Sequence, residues 1–183
     1  VLKVISGSAF ELPIVLTALV ESAIHLCEAD AATIWRPDGE VFRLAALRSF
    51  SREFEEFARQ NPIAPGRGTV TARVALEGRT VHIVDVLSDP EFTGNEYIKR
   101  GQFRSALGVP LLRNGETIGV FVLTRTNVRP YTEKQIELVT TFADQAVIAI
   151  ENTRLLNELR ESLQQQTATA DVLRVISSSP GDP

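Results

Sequence analysis

The 183-residue sequence contains no methionine, one cysteine, two histidines and one tryptophan. Each shortage removes some chemistry. With Cys27 alone there is no intramolecular disulfide, no dithiol cycle and no cysteine-rich metal site. His25 lies beside Leu26 in a helical pattern and His82 between Val81 and Ile83 in a strand pattern, so both read as structural histidines rather than metal or haem ligands. No apolar run approaches the ~20 residues that span a bilayer, and no signal peptide is recognisable. Lys and Arg are scattered singly on a chain of net charge -4 and pI about 5.3, which argues against nucleic-acid and anionic-membrane partners. A nucleotide-triphosphate phosphate loop, a Gly-x-Ser-x-Gly elbow and a His-Glu-x-x-His helix are all missing. The expectation is a cytoplasmic, non-catalytic domain without a metal. The lack of methionine even at the first position suggests a segment of a longer protein.

What is present suits one good core: 44% hydrophobic and 23% charged residues. Leu12, Val15, Leu16, Leu19, Ala23 and Leu26 recur at spacings of three and four, predicting a helix over Glu11 to Glu28. Ala32 to Arg36 and Val41 to Leu47 alternate like paired strands around a turn at Pro37-Asp38-Gly39. Short helices follow over Ser51 to Gln60 and, after the Pro65-Gly-Arg-Gly68 loop, Thr69 to Glu77. Val81 to Val84 reads as a strand, and Glu96 to Arg100 as a short helix.

The last third carries the strongest order. Strands over Leu107 to Leu112 and Thr117 to Thr126 flank Asn114-Gly115, a dipeptide suited to a tight hairpin because both positions tolerate positive φ. Thr132 then caps a helix, with Gln135 three residues on completing a capping box. Neither proline nor glycine occurs from Tyr131 to Ser179, enough helix to reach about 70 Å at ~1.5 Å per residue. Helices splitting the strands, with two hairpins forcing antiparallel neighbours, predict an α+β sheet with helices on its faces. Val1 to Ser8 and Val172 to Ser179 match at six of eight positions, which suggests that residues 156–183 lead into a second repeat and that 1–10 end a preceding linker helix.

From Glu11 to Leu159 this pattern resembles the GAF domain, a small-molecule sensor module of bacterial signalling proteins. The resemblance rests on Leu26-Cys-Glu-Ala-Asp30, Pro65-Gly-Arg-Gly-Thr69, Val81-His-Ile-Val-Asp85, and above all Arg104-Ser-Ala-Leu-Gly-Val-Pro-Leu-Leu112 followed by Gly115-Glu-Thr-Ile-Gly-Val-Phe121. It implies a central antiparallel sheet of about five or six strands, with N- and C-terminal helices on one face and mid-chain helices and loops over a pocket on the other. It places the sensor domain at residues 11–155. It also implies a downstream effector domain in the same chain, a histidine kinase of a two-component system or a nucleotide cyclase.

Candidate pocket walls are Trp35, Phe42, Leu44, Phe57, Phe92, Tyr97, Phe103, Leu107 and Val122, with Arg104 as an anion contact and Ser105 as a hydroxyl partner. Aromatics at such places fill a core more often than they cradle a ligand. The ligand is not identified by the residues. Bilin-binding relatives attach their pigment through a pocket cysteine that this chain lacks, and the Asn95, Lys99, Phe103 series matches the cyclic-nucleotide pattern without its Asp-Glu pair. Gly108 and Gly119 lie inside strands, where glycine marks close approach of backbone or ligand, and Pro110 suggests an edge or a bulge.

Ala149, Asn152, Leu156, Leu159, Leu163, Gln166, Ala170 and Leu173 step by three and four, the period of a coiled-coil seam with Asn152 and Gln166 as polar register markers. The expectation is a homodimer through the terminal helices that senses a small molecule and relays its state along the last helix. The alternative is a ligand-free GAF-like module for dimerisation and spacing.

Overall fold

A computed structural model of the protein describes residues 2–179, with side chains from Glu11 onward. Val1 and residues 180–183, the outer margins of the two expected linker segments, lie outside the described residues. The elements run α1 (Leu2–Cys27), β1 (Ala31–Asp38), β2 (Val41–Arg48), α2 (Arg52–Gln60), α3 (Val70–Glu77), β3 (Val81–Ile83), α4 (Asn95–Gly101), β4 (Ser105–Arg113), β5 (Glu116–Arg125) and α5 (Glu133–Ser178). The five strands form one sheet in the order β2-β1-β5-β4-β3, antiparallel throughout.

Local chemistry explains the boundaries. Ser51 and Thr69 cap α2 and α3 by accepting the amides of Phe54 and Ala72. At the start of α5, Thr132 Oγ1 accepts the Gln135 amide while Gln135 Oε1 accepts the Thr132 amide, the reciprocal box the sequence predicts. Asn114 (φ 51°) and Gly115 (φ 81°) turn the β4–β5 hairpin. In the first hairpin Pro37 and Asp38 belong to β1 itself, and the turn falls at Gly39-Glu40 with Gly39 at φ 64°. Pro37 is tolerated because β5 pairs with β1 only as far as Trp35. The same logic holds for Pro110: β3 pairs with β4 no further than Gly108, so β4 has a free edge beyond it, with a register shift at Leu111/Leu112.

Alternation along the strands divides the interior into two cores. Ile34, Phe121 and Leu123 face α1 and α5, where Leu16, Val20, Ala23, Val139, Ala146 and Ile150 meet them. Trp35, Val120 and Val122 face α2, α3 and α4, where Phe54, Val74 and Phe103 meet them. The two strand glycines serve packing: a Cβ on Gly108 would sit 2.7 Å from Val74 Cγ2 of α3, and one on Gly119 would sit 2.9 Å from the Trp35 carbonyl oxygen.

A buried side chain at the end of β5 helps to join the helical face to the sheet. Arg125, at the end of β5, is 1% exposed. Its guanidinium donates to Cys27 O (2.6 Å), Glu28 O (3.1 Å), Arg129 O (2.8 Å), Pro130 O (2.9 Å) and Gln135 Oε1 (3.2 Å), and lies 3.9 Å from the Tyr131 ring centre. It thereby fastens the end of α1, the connection 126–131 and the first turn of α5 to one another. Removing it strands several carbonyls away from water, so Arg125→Met should cost about 3 kcal/mol of unfolding free energy. Arg125→Lys, which lacks the planar fork, should recover only part of that. Urea denaturation of the three proteins checks the order.

Candidate functional site

Between the sheet and the mid-chain helices lies an apolar cavity of about 40 Å³. Trp35 on β1, Val122 on β5, Phe92 in the loop after β3, Tyr97 on α4 and Phe103 before β4 all line it. These are five of the eleven expected pocket residues. Nine further wall residues escaped the sequence reading, among them Phe54 on α2, Ile63, and Val70 and Thr71 on α3. The amphipathic pattern of α2 presents Phe54 and Phe57 alike. Its register buries Phe54 against the cavity and leaves Phe57 edge-on to Tyr97 at 4.9 Å.

The remaining expectations separate. Phe42 belongs to the same core but spends its backbone on Ile63, donating at 2.7 Å and accepting at 2.9 Å. Leu44 packs at that core's margin. Leu107 must be corrected: it points to the opposite core, under α1 and α5. Every residue from Ser105 to Leu111 is buried, so burial could not reveal which face each one serves. Arg104 forms a two-pronged pair with Asp85 (2.9 and 2.6 Å). Ser105 Oγ donates to Val84 O (2.6 Å) and accepts the Arg129 amide (3.0 Å). Neither lines the cavity.

The cavity is small because aromatics fill it, and two of its polar handles are already used. Trp35 Nε1 donates to Thr33 Oγ1 (2.8 Å) and the Tyr97 hydroxyl donates to Asn61 O (2.8 Å). Burial pushes the Tyr97 phenol up to about 12. A water occupies roughly 30 Å³ of liquid volume, whereas small-molecule sites run to about 300–1,000 Å³. As it stands the cavity holds about one water. An outer hollow of about 450 Å³ lies beside it, between the start of α2 and the end of α4, and Ala31 and Thr124 line both.

The loop over the cavity is held by charge. Arg73 on α3, buried, grips Asp89 through both terminal nitrogens (2.8 and 2.7 Å) and donates from Nε to Arg67 O (2.6 Å). Arg67 reaches Glu77 and Glu91. The Thr93 and Gly94 amides donate to Gly68 O (2.9 and 3.1 Å), and a Cβ on Gly68 would lie 2.5 Å from Thr93 Oγ1. That contact is the physical reason for the second glycine of the Pro65-Gly-Arg-Gly68 loop. Hydrogen bonds from Arg73 hold the Asp89 carboxyl below the usual carboxylate range, and Arg104 brings Asp85 down to about 2.

Among the described residues no group of three His, Cys, Asp or Glu side chains could hold a metal ion, and no helix is long and apolar enough to cross a membrane. His25 is exposed on α1, and His82 Nε2 accepts the Tyr131 amide (3.1 Å). Cys27 is buried in the core on the far side of the sheet from the cavity, and burial pushes its thiol up.

Comparison with known proteins agrees with this architecture. The family model described as GAF domain matches residues 11–150. Among solved structures, the GAF domain/HD domain protein of Geobacter sulfurreducens is similar at TM-score 0.72 and 16% identity, over 82% of this chain and 98% of that one. The GAF domain of a phosphoenolpyruvate-protein phosphotransferase from Coxiella burnetii aligns at TM-score 0.66 and 19% identity, over 86% and 96%. The type II free methionine-R-sulfoxide reductase of Thermoplasma acidophilum aligns at TM-score 0.60 and 16% identity, over 78% and 96%. At these identities the likeness is one of fold.

The ion pairs over the cavity have a pH signature. Asp85 and Asp89 titrate lower in the folded chain than in the unfolded one, so their contribution is complete above the ordinary carboxylate range and is lost as pH falls below about 4 toward 2. Trp35, the sole tryptophan, lines the cavity and reports its opening. Arg73→Met should cost about 2 kcal/mol. It should also raise acrylamide quenching of Trp35 at pH 7 to the level that the unaltered protein reaches only in acid.

Proposed function

The chain belongs to the GAF domain family, and on that premise we propose that it is a regulatory, non-catalytic relay module of a signal-transduction protein, acting as a homodimer through its α1 and α5 helices. The observation that carries this reading is α5. It runs for 46 residues, and every residue from Glu161 to Ser179 is exposed. That exposed length presents Leu163, Val172, Leu173, Val175 and Ile176 to solvent, with exposed Leu159 just before it, an apolar series whose burial calls for a partner helix.

The geometry modifies the expected seam. Ala149 and Leu156 are half-buried, and Leu156 lines a groove between α5 and α1 together with Leu12 and Val15. Asn152, Leu159, Leu163 and Gln166 are exposed. On this reading two α1–α5 pairs meet as a four-helix layer beside the domain, and the helices continue as a two-stranded coil from about Leu159. The effector on the far side is a histidine kinase or cyclase on family grounds alone.

Of the two readings of the interior, the full cavity favours the ligand-free dimerising and spacing module. One observation favours small-molecule sensing: the inner cavity and the outer hollow share the Ala31 and Thr124 wall, and the adjoining loop, anchored in the core by Val86 and Phe92, is latched at its edge by ion pairs. Withdrawal of Phe92 with that loop would open the space a ligand needs.

Sedimentation equilibrium tests the dimer. The chain should sediment as a dimer, and Leu159→Asp combined with Leu163→Asp should shift it to monomer without altering the far-ultraviolet dichroism of the domain. A monomeric unaltered chain contradicts the relay. Native mass spectrometry of protein purified from its source host separates the two interior readings: a retained small molecule supports sensing, and a bare chain supports the spacing module.

A further inference from the structure

The cavity side and the start of α5 are joined through β3 by two hydrogen-bonded links. Val81 and Ile83 of β3 pack into the core that contains the cavity, while His82 between them turns to the opposite face. There its Nε2 accepts the Tyr131 amide at 3.1 Å, with the two rings edge-on at 5.8 Å. The second link runs from Val84 O through Ser105 Oγ to the Arg129 amide, at 2.6 and 3.0 Å. Val84 opens the loop that carries Asp85, Asp89 and Phe92. Both links therefore end on the short connection that delivers the chain to Thr132, the cap of α5.

We infer that His82 is a proton-sensitive latch holding the approach to α5 against β3. An imidazole that accepts at Nε2 carries its single proton on Nδ1. When a proton from solvent takes the Nε2 lone pair, the ring becomes a double donor facing the Tyr131 N–H, and the bond is lost. Among the described residues the Tyr131 amide has no second acceptor, and the residue is buried away from water. The charges around His82 sharpen the response. Arg125 faces it from β5, Tyr131 and Arg129 come from the connection, and Cys27 and Glu28 lie at the end of α1. Arg129 is turned onto the Glu28 carboxylate at 2.9 Å. β4 opposes His82 with Leu107, and on α3 Glu77 is tied to Arg67 and Arg79. Among the described residues no carboxylate pairs with His82, so burial and the Arg125 charge both disfavour the imidazolium and lower its pKa. A depressed histidine contributes stability that is present above its unfolded pKa near 6.5 and is lost as pH falls through the folded value. Acidification thus frees Tyr131 and loosens the first turn of α5. The consequence for signalling rests on α5 being the output, whereas the latch is tested locally and stands or falls without it.

The experiment uses the full chain with His25→Gln, which leaves one imidazole to observe. Its NMR titration and the amide exchange of Tyr131, corrected for intrinsic pH dependence, are followed from pH 8 to pH 5. The His82 signal should titrate below 6.5, and Tyr131 exchange should rise in step with it by about tenfold, the scale of one lost hydrogen bond. His82→Gln, whose side-chain carbonyl accepts the same amide without titrating, should keep Tyr131 protected over the whole range. A Tyr131 profile that does not follow the His82 titration overturns the inference, as does a pH-dependent rise that persists in His82→Gln. Should the Gln variant fail to fold, coincidence or divergence of the two curves in the single-histidine chain decides the matter alone. Sedimentation across the same pH range reports separately on the dimer.

Discussion

The arrangement of this domain depends on a buried cation, Arg125, that has no carboxylate partner among the described residues. Arg125 is almost wholly removed from water, and a guanidinium in that position is tolerable only because oxygens surround it. Four are main-chain carbonyls and one is the Gln135 amide oxygen. Two of the carbonyls, from Cys27 and Glu28, belong to the C-terminal end of α1, where unpaired acceptors and the negative end of the helix dipole favour a positive charge. The requirement works in both directions. Arg125 needs those carbonyls, and the end of α1 needs a donor, so β5, α1 and the entrance to α5 cannot be placed independently. Gln135 serves twice: its Oε1 receives both Arg125 and the Thr132 amide, which links the cap of the long helix to the same point.

From this junction the two faces of the sheet acquire different characters. The α1–α5 face is a conventional apolar core closed by the arginine. The opposite face is closed by aromatic packing around Tyr97 and by arginine–carboxylate pairs at the loop edge. Apolar packing of the first kind comes apart only with the fold, whereas the Arg104–Asp85 pair lies nearer the surface and responds to pH and salt. A domain built this way keeps its helical layer fixed to the sheet. β3 connects the two faces, touching the cavity core with Val81 and Ile83 and the helical side with His82.

Much of this was legible in the sequence wherever a local rule sufficed. Asn114-Gly115, the Thr132–Gln135 box and the order of strands and helices each follow from a few adjacent residues, and the structure reproduces them. Arg125 was not legible, because an arginine closing a strand looks solvent-exposed until the sheet and two helices enclose it. Leu107 went to the wrong face because β4 is apolar on both sides and shows no alternation. Trp35, Phe42, Phe92, Tyr97 and Phe103 share one core, but a set of names does not give a volume. Whether Phe92 and Phe103 line a space or fill it depends on a ring contact at 6.2 Å that only the fold produces. The seam on α5 was ambiguous for a related reason: Ala149 and Leu156 share the heptad with Leu163, yet α1 of the same domain claims part of them.

On the proposed reading α5, once fastened at its base, leaves the domain as one strand of a parallel dimer. Site-directed disulfide formation tests it directly, in a Cys27→Ala background so that the introduced thiol is the only one. Leu163→Cys should cross-link rapidly into a dimer on mild oxidation, while Glu161→Cys, on the opposite side of the same helix turn, should remain monomeric. Equal cross-linking at the two positions, or none at Leu163→Cys, would contradict the account.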